Sequence, residues 1–166
     1  RTNKISNQLQ EIFKNPKDLV KSVESLQHDN AQLEKRIESL EARQLVGIRN
    51  ELLQKNEIIN NVTFIGDIVE VPHPESPKKL CFHLKNHVHD HLVLLCANIG
   101  GRAHVAVSVS DTVVAARNLD AAAIIRDVVS PMIKGGGGGQ KTLATAGGQE
   151  VGQLQDVIQK VRELLK

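Results

Sequence analysis

The first hydrophobic spacing in the chain is helical. Ile5, Leu9, Ile12 and Phe13 trace one apolar stripe over three turns. Asn15-Pro16-Lys17-Asp18 reads as a break and a restart: Asn15 can cap a new helix, Pro16 fits its first turn, and Asp18 suits its positive end. In the helix that follows, Leu19, Leu26, Leu33 and Leu40 recur every seven residues. Val23, Asn30, Ile37 and Gln44 interleave with them, which is the a/d pattern of a coiled-coil seam. Beyond Leu40 the phase slips to Leu45, Ile48, Leu52 and Ile59, with Gly47 near the slip. The helix is expected to roll or bend there to face a different surface. From Pro16 to about Asn56 it would run about 60 Å. Either the short first helix covers the seam, or the seam self-associates. Residues 1–14 are too few to cover so long a helix, which favours a partner along Leu19, Val23, Leu26, Asn30, Leu33, Ile37 and Leu40.

After residue 60 the pattern changes. Val62–Val71 alternates as a strand with β-branched residues, and Pro72-His73-Pro74 closes it. Pro77–Val88 carries Leu80, Leu84 and Val88 at helical spacing. Leu92–Ile99 is a continuous apolar run, the mark of a strand buried on both faces. Gly100-Gly101 predicts a hairpin turn into Arg102–Val109. Asp120 is placed to cap a helix over Ala121–Val129, and Val151–Leu165 reads as an amphipathic helix. The predicted order is strand, helix, strand, strand, helix, glycine loop, helix. The fold class is therefore α/β (α+β): a helical hairpin with a coiled-coil seam over 1–60, then a small mixed sheet flanked by helices over 61–166.

Composition narrows the function. Twenty-one basic against 19 acidic residues give +2, so no blanket of charge meets a polyanion. Over residues 1–60 the charges nearly cancel, as on a solvated face. Three Phe, no Tyr and no Trp argue against a reader of loose RNA strands, which stacks bases on aromatic platforms. Two cysteines, Cys81 and Cys96, form no disulfide framework and fit a reducing compartment. No apolar run approaches a membrane span. The chain starts at Arg1, so it is expected to be a piece of a longer protein, soluble and cytoplasmic.

The strongest local signal is Gly135–Gly139. Eight of the twelve glycines lie between Gly135 and Gly152. Such a run is either a structural turn or a place where backbone N–H groups approach a phosphate or ribose, and Lys134 and Lys141 flank it. No Gly-Lys-Ser/Thr follows, so it is not a P-loop. Cys81, His83, His87, His89 and His91 crowd eleven residues, with His83 and His87 at i, i+4. No second ligand pair stands downstream and no Glu sits beside His83, so a metal site is not expected. Ser108 and Ser110 lack a nucleophile elbow, and Asp111 and Asp120 form no evident acid/base pair. No catalytic residue is assigned.

The stretch Gly135-Gly136-Gly137-Gly138-Gly139-Gln140-Lys141-Thr142-Leu143-Ala144-Thr145-Ala146-Gly147-Gly148 resembles the signature near the carboxyl end of the alanyl-tRNA synthetase family. The leucine-seamed helices before it look like that family's linker between editing and carboxyl-terminal domains. The module is shared with the domain associated with DHH-type phosphoesterases. The resemblance implies a non-catalytic domain that binds alanine-specific tRNA at the corner where the D and T loops meet. It implies coupling of aminoacylation to editing, catalytic and editing domains elsewhere in the parent chain, and possible homodimerisation through the helices. ATP, magnesium and zinc would serve the parent chain, with no cofactor in this segment. The glycine run corresponds to Gly135, Gly136, Gly137, Gly138 and Gly139. Where the family commonly shows Arg-Pro-Asp, this chain has Gln140, Lys141 and Thr142, and a lysine cannot make a bidentate phosphate contact. With these, Lys134, Arg102 and Arg126 complete the expected RNA contacts. Two other readings remain: the substrate-binding half of a DHH phosphoesterase, and a purely structural coiled-coil dimer module.

Overall fold

A computed structural model of the chain describes residues 2–12 and 18–166. Phe13, Asn15, Pro16 and Lys17, on which the expected break and its cap fall, lie outside the described residues. Two compact units divide at Arg43/Gln44. The division coincides with the slip in the heptad phase rather than with the change of pattern near residue 60.

The first unit holds α1 (Thr2–Ile12) and the start of α2 (Leu19–Gln54). Asp18 caps α2, its carboxylate accepting the Lys21 N–H at 3.1 Å. Along the seam Leu19 and Val23 are half-buried, whereas Leu26, Leu33, Ile37 and Leu40 are exposed, and so is Asn30.

In the second unit a six-stranded sheet has the order β1-β2-β3-β4-β6-β5. Its strands are β1 (Glu57–Ile59), β2 (Val62–Ile68), β3 (His91–Ile99), β4 (Arg102–Val109), β5 (Gly135–Gly139) and β6 (Leu143–Gly148). Only β2 and β3 run parallel, joined across α3 (Ser76–Leu84). Asn60-Asn61 and Gly100-Gly101 both have positive φ at both residues, the geometry of tight hairpin turns. β3 is buried from His91 through Ala97, as its continuous apolar run requires.

The sheet carries a core on each face. On one side Leu80, Cys81 and Leu84 of α3 join Leu45 and Leu52 of α2 over Ile65, Val93, Leu95 and Ala106. On the other side α4 (Asp111–Arg117), α5 (Ala121–Ile124), a π-helical turn (Ile125–Val129), α6 (Ser130–Ile133) and α7 (Leu154–Glu163) cover Phe64, Leu94, Val105, Val107 and Ala144. Asp120 caps α5 by accepting the Ala123 N–H at 2.6 Å. The helix expected to stop at Val129 continues to Ile133 through the wide turn. Pro131 lacks the N–H that would bond four residues back, and its ring crowds that carbonyl, so the turn opens.

Several expectations are corrected. The glycine loop is a strand, because an adjacent strand, β6, follows after a three-residue return and pairs with it throughout. The strand begun at Val62 ends at Ile68, before the prolines. The helix near residue 80 ends at Leu84 rather than Val88, and the last helix spans Leu154–Glu163. The short elements β1 and α4 carried no clear period and were not foreseen. No described helix is long and apolar enough to cross a membrane.

Candidate nucleic-acid interface

The glycine strand owes its position to a mismatch in coverage. α3 and the end of α2 cover the sheet over β2, β3 and part of β4, and on that face β6 and β5 are left open. The register places His104 opposite Gly147 and Ala106 opposite Thr145, with Gly136 and Gly138 next across. A depression of about 400 Å³ lies over this floor, walled by Pro74, Pro77 and Lys78 at the start of α3 and by His104 of β4. A second, of about 330 Å³, adjoins it and shares Lys78, Gly138 and Thr145; Gly139 and Gln140 line its far side.

The five glycines are of two kinds. A Cβ on Gly135 would stand 1.9 Å from the Gly147 carbonyl oxygen, and one on Gly137 2.0 Å from that of Thr145. On Gly139 it would meet the Leu143 oxygen at 2.5 Å. These are collisions with backbone, which no side-chain adjustment relieves. Gly136 and Gly138 have nothing within 4 Å of the corresponding point. Alternate glycines thus let β5 press against β6, and the other two keep the floor bare. The Gln140 N–H donates to the Leu143 carbonyl at 2.8 Å, which fixes the phase of the ladder. Gly138 with Thr145 and Gly136 with Gly147 then occupy the hydrogen-bonded positions. The amides of Gly135 and Gly137 point away from β6, along a free sheet edge where donors are available to a ligand.

The structure brings some of the sequence-derived candidates together and separates others. Lys134, in the left-handed conformation (φ 52°), ends α6 and leads into Gly135. Arg102 opens β4 at the same end of the sheet, two strand spacings away, or about 10 Å. Gln140 and exposed Lys141 lie in the return between β5 and β6, at the opposite end of the strand. Arg126 lies elsewhere: it sits in the π-helical turn over the other face, exposed and paired with Asp127 at 3.0 Å. That carboxylate, by hydrogen bond and charge, holds the Arg126 pKa above its ordinary value. Lys78 and His104, which line the floor, were missed. Their signal was the face of the α3 pattern opposite Leu80 and Leu84, and the polar positions alternating with Val105 and Val107.

The histidine cluster is spread over the end of α3, the loop that follows and the start of β3. α3 ends before His87, which removes the i, i+4 geometry, and no described group of three His, Cys, Asp or Glu side chains is placed to hold an ion. His91 is buried, its Nε2 3.2 Å from the Ser108 hydroxyl, and burial lowers its pKa. Cys81 and Cys96 are fully buried, and burial pushes both thiols up, Cys96 to about 12. Neither is a thiolate near neutral pH.

The comparisons with known proteins agree with this layout. The DHHA1 domain family model matches residues 61–166. The alanine–tRNA ligase of Cytophaga hutchinsonii is 36% identical over 156 residues, covering 94% of this chain and 18% of the relative. That of Christiangramia forsetii is 33% identical over 164 residues, covering 97% and 19%. The chain spans about a fifth of the length of these curated relatives. Among solved structures, the C-Ala domain from Aquifex aeolicus alanyl-tRNA synthetase is similar with a TM-score of 0.60 at 25% identity, over 67% of this chain and 97% of that one.

Proposed function

We infer the function from one premise: the chain belongs to the DHHA1 domain family. It is homologous to the carboxyl-terminal region of alanyl-tRNA synthetases, and the solved domain it matches is C-Ala rather than a catalytic domain. On that basis we propose a non-catalytic domain that binds tRNA at its folded corner and helps one tRNA reach both aminoacylation and editing. Alanine activation with ATP, and the zinc and magnesium chemistry of such a ligase, would belong to other parts of a longer chain.

One observation supports the reading most. The floor of Gly136, Gly138 and Gly147 carries no side chain of its own and opens into a groove with Lys78 and His104 beside it, while exposed Lys141 lies in the return between β5 and β6. Such a surface admits close approach by ribose, phosphate or the flat end of a stacked pair. A few cations then add charge without reading sequence. Binding is expected to weaken with salt by a log–log slope of about 0.7–0.9 per phosphate contacted.

The test is tRNA binding by the chain at low and moderate salt, against an acceptor-stem minihelix that lacks the corner. Preference for intact tRNA, weakened by Gly138→Val and by Lys141→Ala, is expected. Equal binding of both RNAs, or none, would overturn the reading. Gly138 is the position to fill, because a side chain at Gly137 would disrupt the strand itself.

Self-association is a second proposal with its own observation. Leu26, Leu33, Ile37 and Leu40 are 46–59% exposed on one heptad seam. A parallel pair would bury them as a/d knobs, with Asn30 fixing the register. Sedimentation should show a dimer that Leu33→Lys converts to monomer; a monomeric wild type would end this proposal.

A further inference from the structure

We propose that the RNA-binding surface does not end at the glycine strand but continues along α3. Lys78, Phe82 and Lys85 form there a track for an unpaired nucleotide next to the folded corner. This deepens the tRNA reading above and rests on it.

The three residues stand at i, i+4 and i+7, one exposed face of the helix, beside the Leu80, Cys81 and Leu84 face that fills the core. Lys78 walls both depressions over the glycine floor. Leu143 links the second of these to a third of about 390 Å³, lined by Phe82, Lys85, Thr142 and the hydroxyls of Ser110 and Thr112. Three neighbouring depressions thus follow one another from Gly136 past the β5–β6 return to the end of α3, each with a residue of α3 or its carboxyl-terminal cap in its wall. From Lys78 to Lys85 the helix rises about 10 Å, the reach of a very few nucleotides.

Charge and chemistry select the occupant. Residues 76–85 contain three lysines and no acid. Neither Lys78 nor Lys85 is in an ion pair among the described residues. Acidic groups occur only at the limits, Glu75 at one end and Asp90 and Asp111 at the other, where they bound the cationic stretch. Phe82 is 53% exposed, whereas Phe64 is fully buried. It is the one exposed phenylalanine among the described residues. The Lys85 ammonium lies 4.1 Å from its centroid. An exposed ring flanked by two cations without ion-pair partners, with Lys85 over one face, suits a base stacked on the other face whose flanking phosphates meet the lysines. A lean aromatic count argues against a row of platforms, and one platform is compatible with it. A protein partner would have to leave the lysines without acceptors or bring its own acids to both.

The experiment compares tRNA affinity of the wild-type chain with Phe82→Leu, Lys78→Ala/Lys85→Ala and Gly138→Val, each checked for unchanged melting temperature. Leucine keeps an apolar side chain at the site but cannot stack. Phe82→Leu is expected to weaken binding at least about fivefold. The double lysine variant should lower the log–log salt slope by about 1–2. A short oligouridylate should compete for the wild type and fail against Phe82→Leu. If both α3 variants bind tRNA as wild type while Gly138→Val does not, the track is wrong and the corner reading stands. If all three variants bind tRNA as wild type, the corner reading fails and the track fails with it.

Discussion

β3 and β5 belong to one sheet, separated by β4 and β6, and they do opposite work. β3 sends Leu92, Leu94 and Cys96 into one core and Val93, Leu95 and Ala97 into the other. β5 sends no side chain anywhere. It is held by its ladder with β6 and by the tight seating of Gly135, Gly137 and Gly139. A central strand is fixed by what it buries. An edge strand released from that duty can offer its backbone and a bare face, and sheet edges with free amides are places where other molecules add.

The largest expected effect is on the β3 side of the comparison. Leu94→Ala removes a fully buried side chain from the larger core and is expected to lower stability by about 2–5 kcal/mol, read from urea denaturation. On β5 the matching damage comes from adding atoms rather than removing them. Gly137→Ala forces a Cβ against the Thr145 carbonyl and should cost about 1–3 kcal/mol, with Gly137→Val worse. Equal tolerance of alanine at Gly137 and Gly138 would remove the distinction between the two kinds of glycine.

A smaller effect separates the strands by pH. His91 opens β3, is 5% exposed and bonds to the Ser108 hydroxyl. Burial is the main cause of its lowered pKa; the Lys85 charge and His89 add to it, while the Val88 carbonyl and Asp90 oppose it. The unfolded chain therefore takes up this proton near the ordinary pKa of about 6.5, and the folded chain only at lower pH. The stability from neutral His91 is present above that pH and is lost as the pH falls below it. The urea midpoint should drop between pH 7 and 5, and less so in His91→Gln. β5 has no titrating side chain and contributes nothing to this dependence.

The same contrast explains what was legible in the sequence. β3 was visible because six of its seven consecutive buried residues, Leu92 to Ala97, form a continuous apolar run, and Gly100-Gly101 announced its turn. The longer helices showed through their periods, and Asp120 through its cap. β5 was invisible as a strand: five glycines have no alternation and the lowest strand preference, so only pairing with β6 makes them one. The glycine run could be singled out as a candidate from its motif, together with Lys134 and Lys141. Lys78 and His104 could not be placed there, because α3 meets β5 only after the crossover and the sheet order bring distant segments together. Arg126 looked equally eligible in the sequence and lies on the other face.

The smallest effect is the most telling about β5. Gly136 and Gly138 have room for a Cβ, and neither has a positive φ that would strain an L-residue. Alanine there should lose less conformational freedom on folding than glycine and raise stability by about 0.5–1 kcal/mol. Folding alone would thus prefer side chains at these two positions, unlike Gly135, Gly137 and Gly139. If Gly136→Ala/Gly138→Ala melts at a higher temperature yet binds tRNA less well, the bare floor serves the ligand rather than the fold. If the double variant is less stable, glycine is needed for the strand throughout, and the alternation loses its functional meaning.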